Sequence, residues 1–210
     1  MNKIKLTKFE TIFLDFDGTL KISDKIKGVL FYEIFKGYTN PLLRNKILQH
    51  HYDNLGLSRY KKIPIYMKYC NIKVNPISKK KFIIKYNKLV FIKVCKCYWV
   101  RGAKNFLKKN KHKKLILVTA SPHKEIIKIL KKIKIYDVFA SIYGHPFKKK
   151  DIIKKIISRT KLGTKKYIYI GNSKSYYLAA EQNKVKYLNI GKLTLRNKKI
   201  INISNFNFID

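Results

Sequence analysis

Five short apolar runs punctuate the chain: Thr11–Asp15, Leu115–Thr119, Val138–Tyr143, Tyr167–Gly171 and Val185–Ile190. Each is five or six residues long with little polar alternation, the pattern of strands in a parallel sheet covered on both faces. The first run ends in an acid and is followed by Gly18. Between the later runs lie segments with helical spacing. Ala103–Lys109 leads into the second run, and Pro122–Ile133 carries Ile126, Ile127, Ile129, Leu130 and Ile133 on one face. Ser121 and Pro122 form a plausible helix start. Lys150–Ser158 and Ser175–Asn183 read as further helices. This alternation predicts an α/β, doubly wound parallel-sheet (Rossmann-like) core.

Residues 23–98 break the rhythm. Apolar residues at Val29, Leu30, Tyr32, Ile34 and Phe35 have helical spacing, and Pro41, Gly56, Pro64 and Pro76 punctuate the stretch. It reads as a helical insertion, which divides the chain into a core of residues 1–22 and 99–210 and an insertion of residues 23–98.

The chain has 210 residues and a formal net charge of +38. Such a charge invites a nucleic-acid partner. The excess is nearly all lysine, spread along the whole chain, with only five arginines to make bidentate phosphate or base contacts. Lys, Ile, Asn and Tyr share A/T-rich codons, so compositional drift accounts for the same bias without a dedicated partner. Non-specific, salt-sensitive nucleic-acid binding is expected on either reading. Cys70, Cys95 and Cys97 are too few and too irregular for a zinc site, and read as reduced thiols. Met1–Glu10 is polar and basic, and no later run is long enough to span a membrane, so a soluble cytoplasmic protein is expected.

The strongest chemical signal is Asp15-Phe16-Asp17-Gly18-Thr19-Leu20 at the end of the first strand. Strand ends are where open α/β sheets bind ligands. An isolated Asp-x-Asp-Gly reads as a solvated turn. Here the string heads an α/β pattern, and two of only 11 acidic residues are packed into it. Two carboxylates beyond a strand can share a divalent cation while one attacks phosphorus and the other moves a proton.

These residues resemble the haloacid dehalogenase-like superfamily of phosphohydrolases, in the phosphoglycolate phosphatase-like branch with a helical cap. The resemblance implies that Asp15 is the nucleophile and Asp17 the general acid/base. Thr119, ending the second strand ahead of Ala120-Ser121-Pro122, matches the second motif. Tyr143-Gly144-His145-Pro146-Phe147-Lys148-Lys149 resembles the third, with Lys149 as the phosphate-binding lysine and Lys148 and Lys150 as rivals. Gly56-Leu57-Ser58-Arg59-Tyr60 resembles a cap segment, giving Arg59 as either a substrate contact or a surface ion pair. His145 lies beside the phosphate site, as a substrate contact or a loop histidine with a backbone partner.

The fourth motif departs from the family. Gly171-Asn172-Ser173-Lys174-Ser175-Tyr176 stands where the pattern is Gly-Asp-Ser-x-x-Asp, and Ile22 stands where many capped members carry an acid. The resemblance implies a Mg²⁺ site built from Asp15, Asp17 and Asn172, with a neutral amide where the family has a carboxylate. The expected function is Mg²⁺-dependent hydrolysis of a small phosphomonoester through an aspartyl-phosphate. The alternatives are a weakened or inactive protein of the same fold, and a nucleic-acid-associated one.

Overall fold

The computed structural model describes residues 4–160, 162–196 and 198–210. Strands β1 (Thr11–Leu14), β2 (Lys114–Pro122), β3 (Ser141–His145), β4 (Tyr167–Gly171), β5 (Lys186–Ile190) and β6 (Ile201–Ile203) form one sheet, ordered β3-β2-β1-β4-β5-β6. Every pairing in it is parallel. The direction of winding reverses at β1, so the crevice beyond the ends of β1, β2 and β4 is where a ligand site is expected.

The near-continuous apolar runs are explained by burial on both faces. Ile12 and Leu14 of β1 pack into one core cluster and Phe13 into the other, as alternate residues of a strand must. Helices α5 (Ala103–Lys109) and α6 (His123–Lys132) cover the first face. Helices α7 (Lys149–Ser158) and α8 (Lys174–Gln182) cover the second. In α6, Ile126, Ile129 and Leu130 are buried, the inner stripe that its spacing predicts.

Between β1 and β2 the chain forms α1 (Asp24–Phe35), α2 (Pro41–Asp53), α3 (Arg59–Tyr69) and α4 (Pro76–Lys96). Their shared core is aromatic: Phe31 stacks on Tyr86 at 4.1 Å between ring centroids, and Phe35 on Phe82 at 4.5 Å. Pro41 and Pro76 each open a helix behind an asparagine whose side chain caps it. Pro64, read as a break, lies inside α3. The packing of Ile63, Tyr66 and Met67, all fully buried, outweighs the hydrogen bond that the proline removes.

Two strand predictions need correction. The third run was expected at Val138–Tyr143, but Tyr136–Val138 is a tight 3₁₀ turn and β3 starts where Ser141 meets Ile116 of β2. The sixth strand was not foreseen; it is a three-residue edge strand, too short for a period to show. No helix among the described residues is long and apolar enough to cross a membrane.

Candidate active site

Asp15 follows β1 directly and is 1% exposed. Its backbone N–H donates to the Ile170 carbonyl of β4 at 3.0 Å, extending the sheet by one residue and fixing the carboxylate over the crevice. Oδ2 accepts a long hydrogen bond from Thr19 Oγ1 at 3.4 Å, whereas Oδ1 is buried with no hydrogen-bond partner. Burial, then the charge of Asp17, push the Asp15 carboxyl up to about 7. The Tyr176 hydroxyl, the Phe16 amide and Lys149 pull the other way. Tyr176 acts by closeness, since it forms no well-aligned hydrogen bond to the orphan oxygen. A buried acceptor without a donor is costly unless something binds it.

Asp17 has the opposite environment. Oδ1 accepts from Ser23 Oγ at 2.6 Å; Oδ2 accepts from Lys27 Nζ at 2.5 Å and from Ser121 Oγ at 2.8 Å. Lys27 also donates to Ser121 Oγ at 2.7 Å, closing a triangle. Burial works to raise the Asp17 carboxyl, but the Lys27 ammonium and the three hydrogen bonds outweigh it and hold it below the usual carboxylate range. Two carboxylates one residue apart are thus driven apart, Asp15 toward the neutral form and Asp17 toward the ionised one. Both oxygens of Asp17 are engaged, so a metal role for its side chain would require breaking these contacts.

The pairing of β2 with β3 slips between Val118 and Pro122. This irregularity frees Thr119, Ala120 and Ser121 from the ladder at the edge of the site. Thr119 is buried, and its Oγ1 accepts from the Ser121 amide at 3.3 Å. Ser121 does not cap a helix, as its place before Pro122 suggested; α6 starts at His123, and the Ser121 hydroxyl serves Asp17.

Lys149 is the first residue of α7. Its Nζ donates to the Gly56 carbonyl at 3.0 Å and lies 4.6 Å from the centre of the Tyr176 ring. Burial lowers its affinity for a proton, and Asp15 partly restores it. The Lys149 charge in turn lowers the Asp15 carboxyl. Gly56 has φ +83°, and a Cβ there would meet Ser175 Oγ at 2.3 Å, so only glycine lets the loop come this close to α8.

Asn172 follows β4. A Cβ on Gly18 would lie 2.0 Å from its Nδ2 and 2.7 Å from Asp24 Oδ2. Gly18, at φ +72°, is thus required both by its backbone and by the space that Asn172 and Asp24 occupy. Tyr176, at the other altered position, is 2% exposed and packs edge-on against Tyr169, with ring centroids 5.5 Å apart. It is a core residue between α8 and the sheet.

Arg59 is no surface residue. It is 5% exposed, forms a bidentate pair with Glu125 of α6 at 2.6 Å on each arm, and also bonds Asn87 of α4. Burial disfavours its charge, but Glu125 overcomes this and raises its affinity for the proton. The pair ties α3 to α6, so the guanidinium is already committed. Arg59→Met is expected to destabilise the fold by about 3–5 kcal/mol, because Glu125 would be left buried and unpaired. Urea unfolding checks this, and Arg59→Met with Glu125→Leu should recover most of the loss. His145, read as a substrate contact or a loop histidine with a backbone partner, stacks on Tyr60 of α3 with ring centroids 4.8 Å apart.

Asp15, Asp17, Asp24, Lys27, Ser121 and Asn172 line one cavity of ≈ 50 Å³, together with His51, Arg59, Lys62 and Tyr176. Burial, then the charge of Lys27, push the Lys62 ammonium down to about 7, and its Nζ bonds His51 at Nδ1 (3.1 Å) and at the carbonyl (3.2 Å). A wider groove of ≈ 600 Å³, lined by Thr119, Phe147, Lys149 and Leu178, adjoins the cavity at Leu55–Leu57 and Ala120. Asp24, Lys27, Lys62 and Glu125 were not picked out from the sequence. They sit in helices at ordinary spacing, and only the folded chain brings Asp24, Lys27 and Lys62 to the cavity of Asp17 and Glu125 to Arg59.

No group of three His, Cys, Asp or Glu side chains among the described residues is placed to hold a metal ion. The donors present are hard oxygens all the same. Asp15 offers a buried carboxylate oxygen with no other partner, and Asn172 an amide beside it. That set suits Mg²⁺ in kind, with less charge than a three-carboxylate site.

Residues 12–190 match the family model of the haloacid dehalogenase-like hydrolases. No curated protein matches the chain. Among solved structures it is similar to a HAD hydrolase, family IA, variant 3, from Entamoeba histolytica, with 18% identity, a TM-score of 0.76 and 96% of each chain covered. A predicted phosphoglycolate phosphatase from Haemophilus somnus aligns at 18% identity and a TM-score of 0.71, covering 95% of this chain and 96% of that one. The HAD-hydrolase YfnB from Bacillus subtilis, bound to magnesium, aligns at 12% identity and a TM-score of 0.70, again covering 95% and 96%. With residues 12–190, most of its length, matched by one family model, the chain belongs to the haloacid dehalogenase-like hydrolases.

Proposed function

We propose that this chain hydrolyses a small phosphomonoester through Asp15. The observation that carries the reading is the unpartnered Oδ1 of Asp15, a buried nucleophile facing a cavity that Asp17 and a cationic wall share. Asp15 Oδ1 attacks phosphorus, the ester bond breaks, and the phosphoryl group passes to the carboxylate. The leaving oxygen takes a proton from Asp17. In the arrangement described, Asp17 is ionised and held by Lys27, so it must first take up a proton, which loosening of the Lys27 contact permits. In the second step Asp17 is in its ready form: it accepts a proton from water as that water attacks the phosphoryl-aspartate, and inorganic phosphate leaves. Thr119 and Lys149 hold the phosphoryl oxygens and offset their charge. Mg²⁺, when bound by Asp15 and Asn172, supplies the charge that keeps Asp15 ionised beside an anionic substrate.

Residues 23–98 serve as a cap over this core. The cavity at Asp15, ≈ 50 Å³, has room for a few water molecules but not for a metabolite. Substrate therefore enters when the cap moves, and the Arg59–Glu125 pair and the Lys27–Asp17 contact are what it must release. A screen of sugar, nucleotide and glycolate phosphates with Mg²⁺ tests the reading. Phosphate release from at least one class, lost on chelation, is expected; no release from any of them would overturn it.

A further inference from the structure

We infer that Asp24 supplies the metal-site carboxylate that position 172 lacks. This rests on the reading that the site holds a divalent cation. Asp24 opens α1, nine residues after the nucleophile, and an acid in the first turn of a helix is ordinarily explained by the helix dipole. That explanation does not account for where its carboxylate points. Oδ2 lies 2.7 Å from the position a Gly18 Cβ would take, and the Asn172 amide lies 2.0 Å from the same point. Asp24 and Asn172 thus converge on the turn that carries Asp15 and Asp17, and all four line one cavity.

Charge accounting singles out the same residue. Of the carboxylates near the site, Asp17 is neutralised by Lys27 and Glu125 by Arg59. Asp15 and Asp24 form no ion pair with a described residue, and the Asp24 side chain accepts only from backbone amides, that of Lys25 through Oδ1. The buried Oδ1 of Asp15, which has no hydrogen-bond partner, is a second and independent cation donor in the same cavity. Two carboxylates and one amide, which can present its oxygen after a half-turn of the side chain, make a donor set of the kind that Mg²⁺ or Mn²⁺ accepts. The acid lost from the strand end has in effect been moved to the first turn of α1.

Titration of the full-length chain with Mn²⁺, followed by electron paramagnetic resonance of the free ion, tests this without reference to turnover. Asp24→Asn is expected to weaken binding at least tenfold. Asn172→Asp should strengthen it, and Asp24→Asn with Asn172→Asp should return to within a few-fold of the parent chain. Circular dichroism checks that each variant is folded; Asp24→Glu, which keeps the charge, should retain binding. Unchanged affinity in Asp24→Asn, with the parent chain binding normally, would overturn the assignment. No binding by the parent chain would instead remove the cation reading itself, and the assignment with it.

Discussion

Asp15→Asn is expected to lose phosphate release by at least about 10³-fold while making the fold more stable. The two effects have one cause. In the unfolded chain Asp15 gives up its proton near 3.8, and in the folded chain at about 7. Between those values the folded state binds more protons than the unfolded one. Stability therefore falls as pH rises through the window, and the penalty is complete above it. Asparagine carries no such penalty, although its amide also lacks a donor-acceptor match. Without divalent cation the variant should gain about 2–4 kcal/mol at pH 8 and almost nothing at pH 4. Urea unfolding at the two pH values measures this. A gain that does not depend on pH would show that Asp15 carries no buried charge.

Restoring the two acids of the fourth motif should have opposite results. Asn172→Asp adds a carboxylate to the cavity wall, beside Gly18, and is expected to raise Mg²⁺ affinity about tenfold or more. Tyr176→Asp removes a ring packed on Tyr169 and under Lys149, and leaves a carboxylate in the gap. It is expected to cost more than about 4 kcal/mol in stability. The double variant should therefore resemble the damaged single one. Thermal unfolding and metal titration of the three variants separate these outcomes; a stable, active Tyr176→Asp would refute the core role of Tyr176.

The core was legible in the chain because its strands are buried on both faces and write continuous apolar runs. The strand that escaped notice, Ile201–Ile203, is too short to make such a run. The β3 boundary moved because Val138 and Phe139 are apolar for packing reasons and precede the sheet. Asp15, Asp17, Thr119 and Lys149 were picked out from their places after strands and at a helix start; in the fold Asp15 and Asp17 line the small cavity, and Thr119 and Lys149 line the groove that adjoins it. What could not be read was the far wall. Lys27, Arg59 and Lys62 look like surface cations in a lysine-rich chain, and their burial is decided by α1, α3 and α6 meeting over the sheet. Arg59 in particular was placed as a substrate contact or a surface ion pair; it forms an ion pair, with Glu125, but a buried one, and it lines the cavity.

The central claim is that Asp15 takes the phosphoryl group from substrate. Acid quenching during turnover of the best phosphomonoester, followed by mass spectrometry of the peptides, tests it directly. One phosphoryl group on the peptide carrying Asp15, absent in Asp15→Asn, is the predicted result. Turnover with that peptide unmodified at every quench time, or a phosphoryl group on another residue, would contradict it.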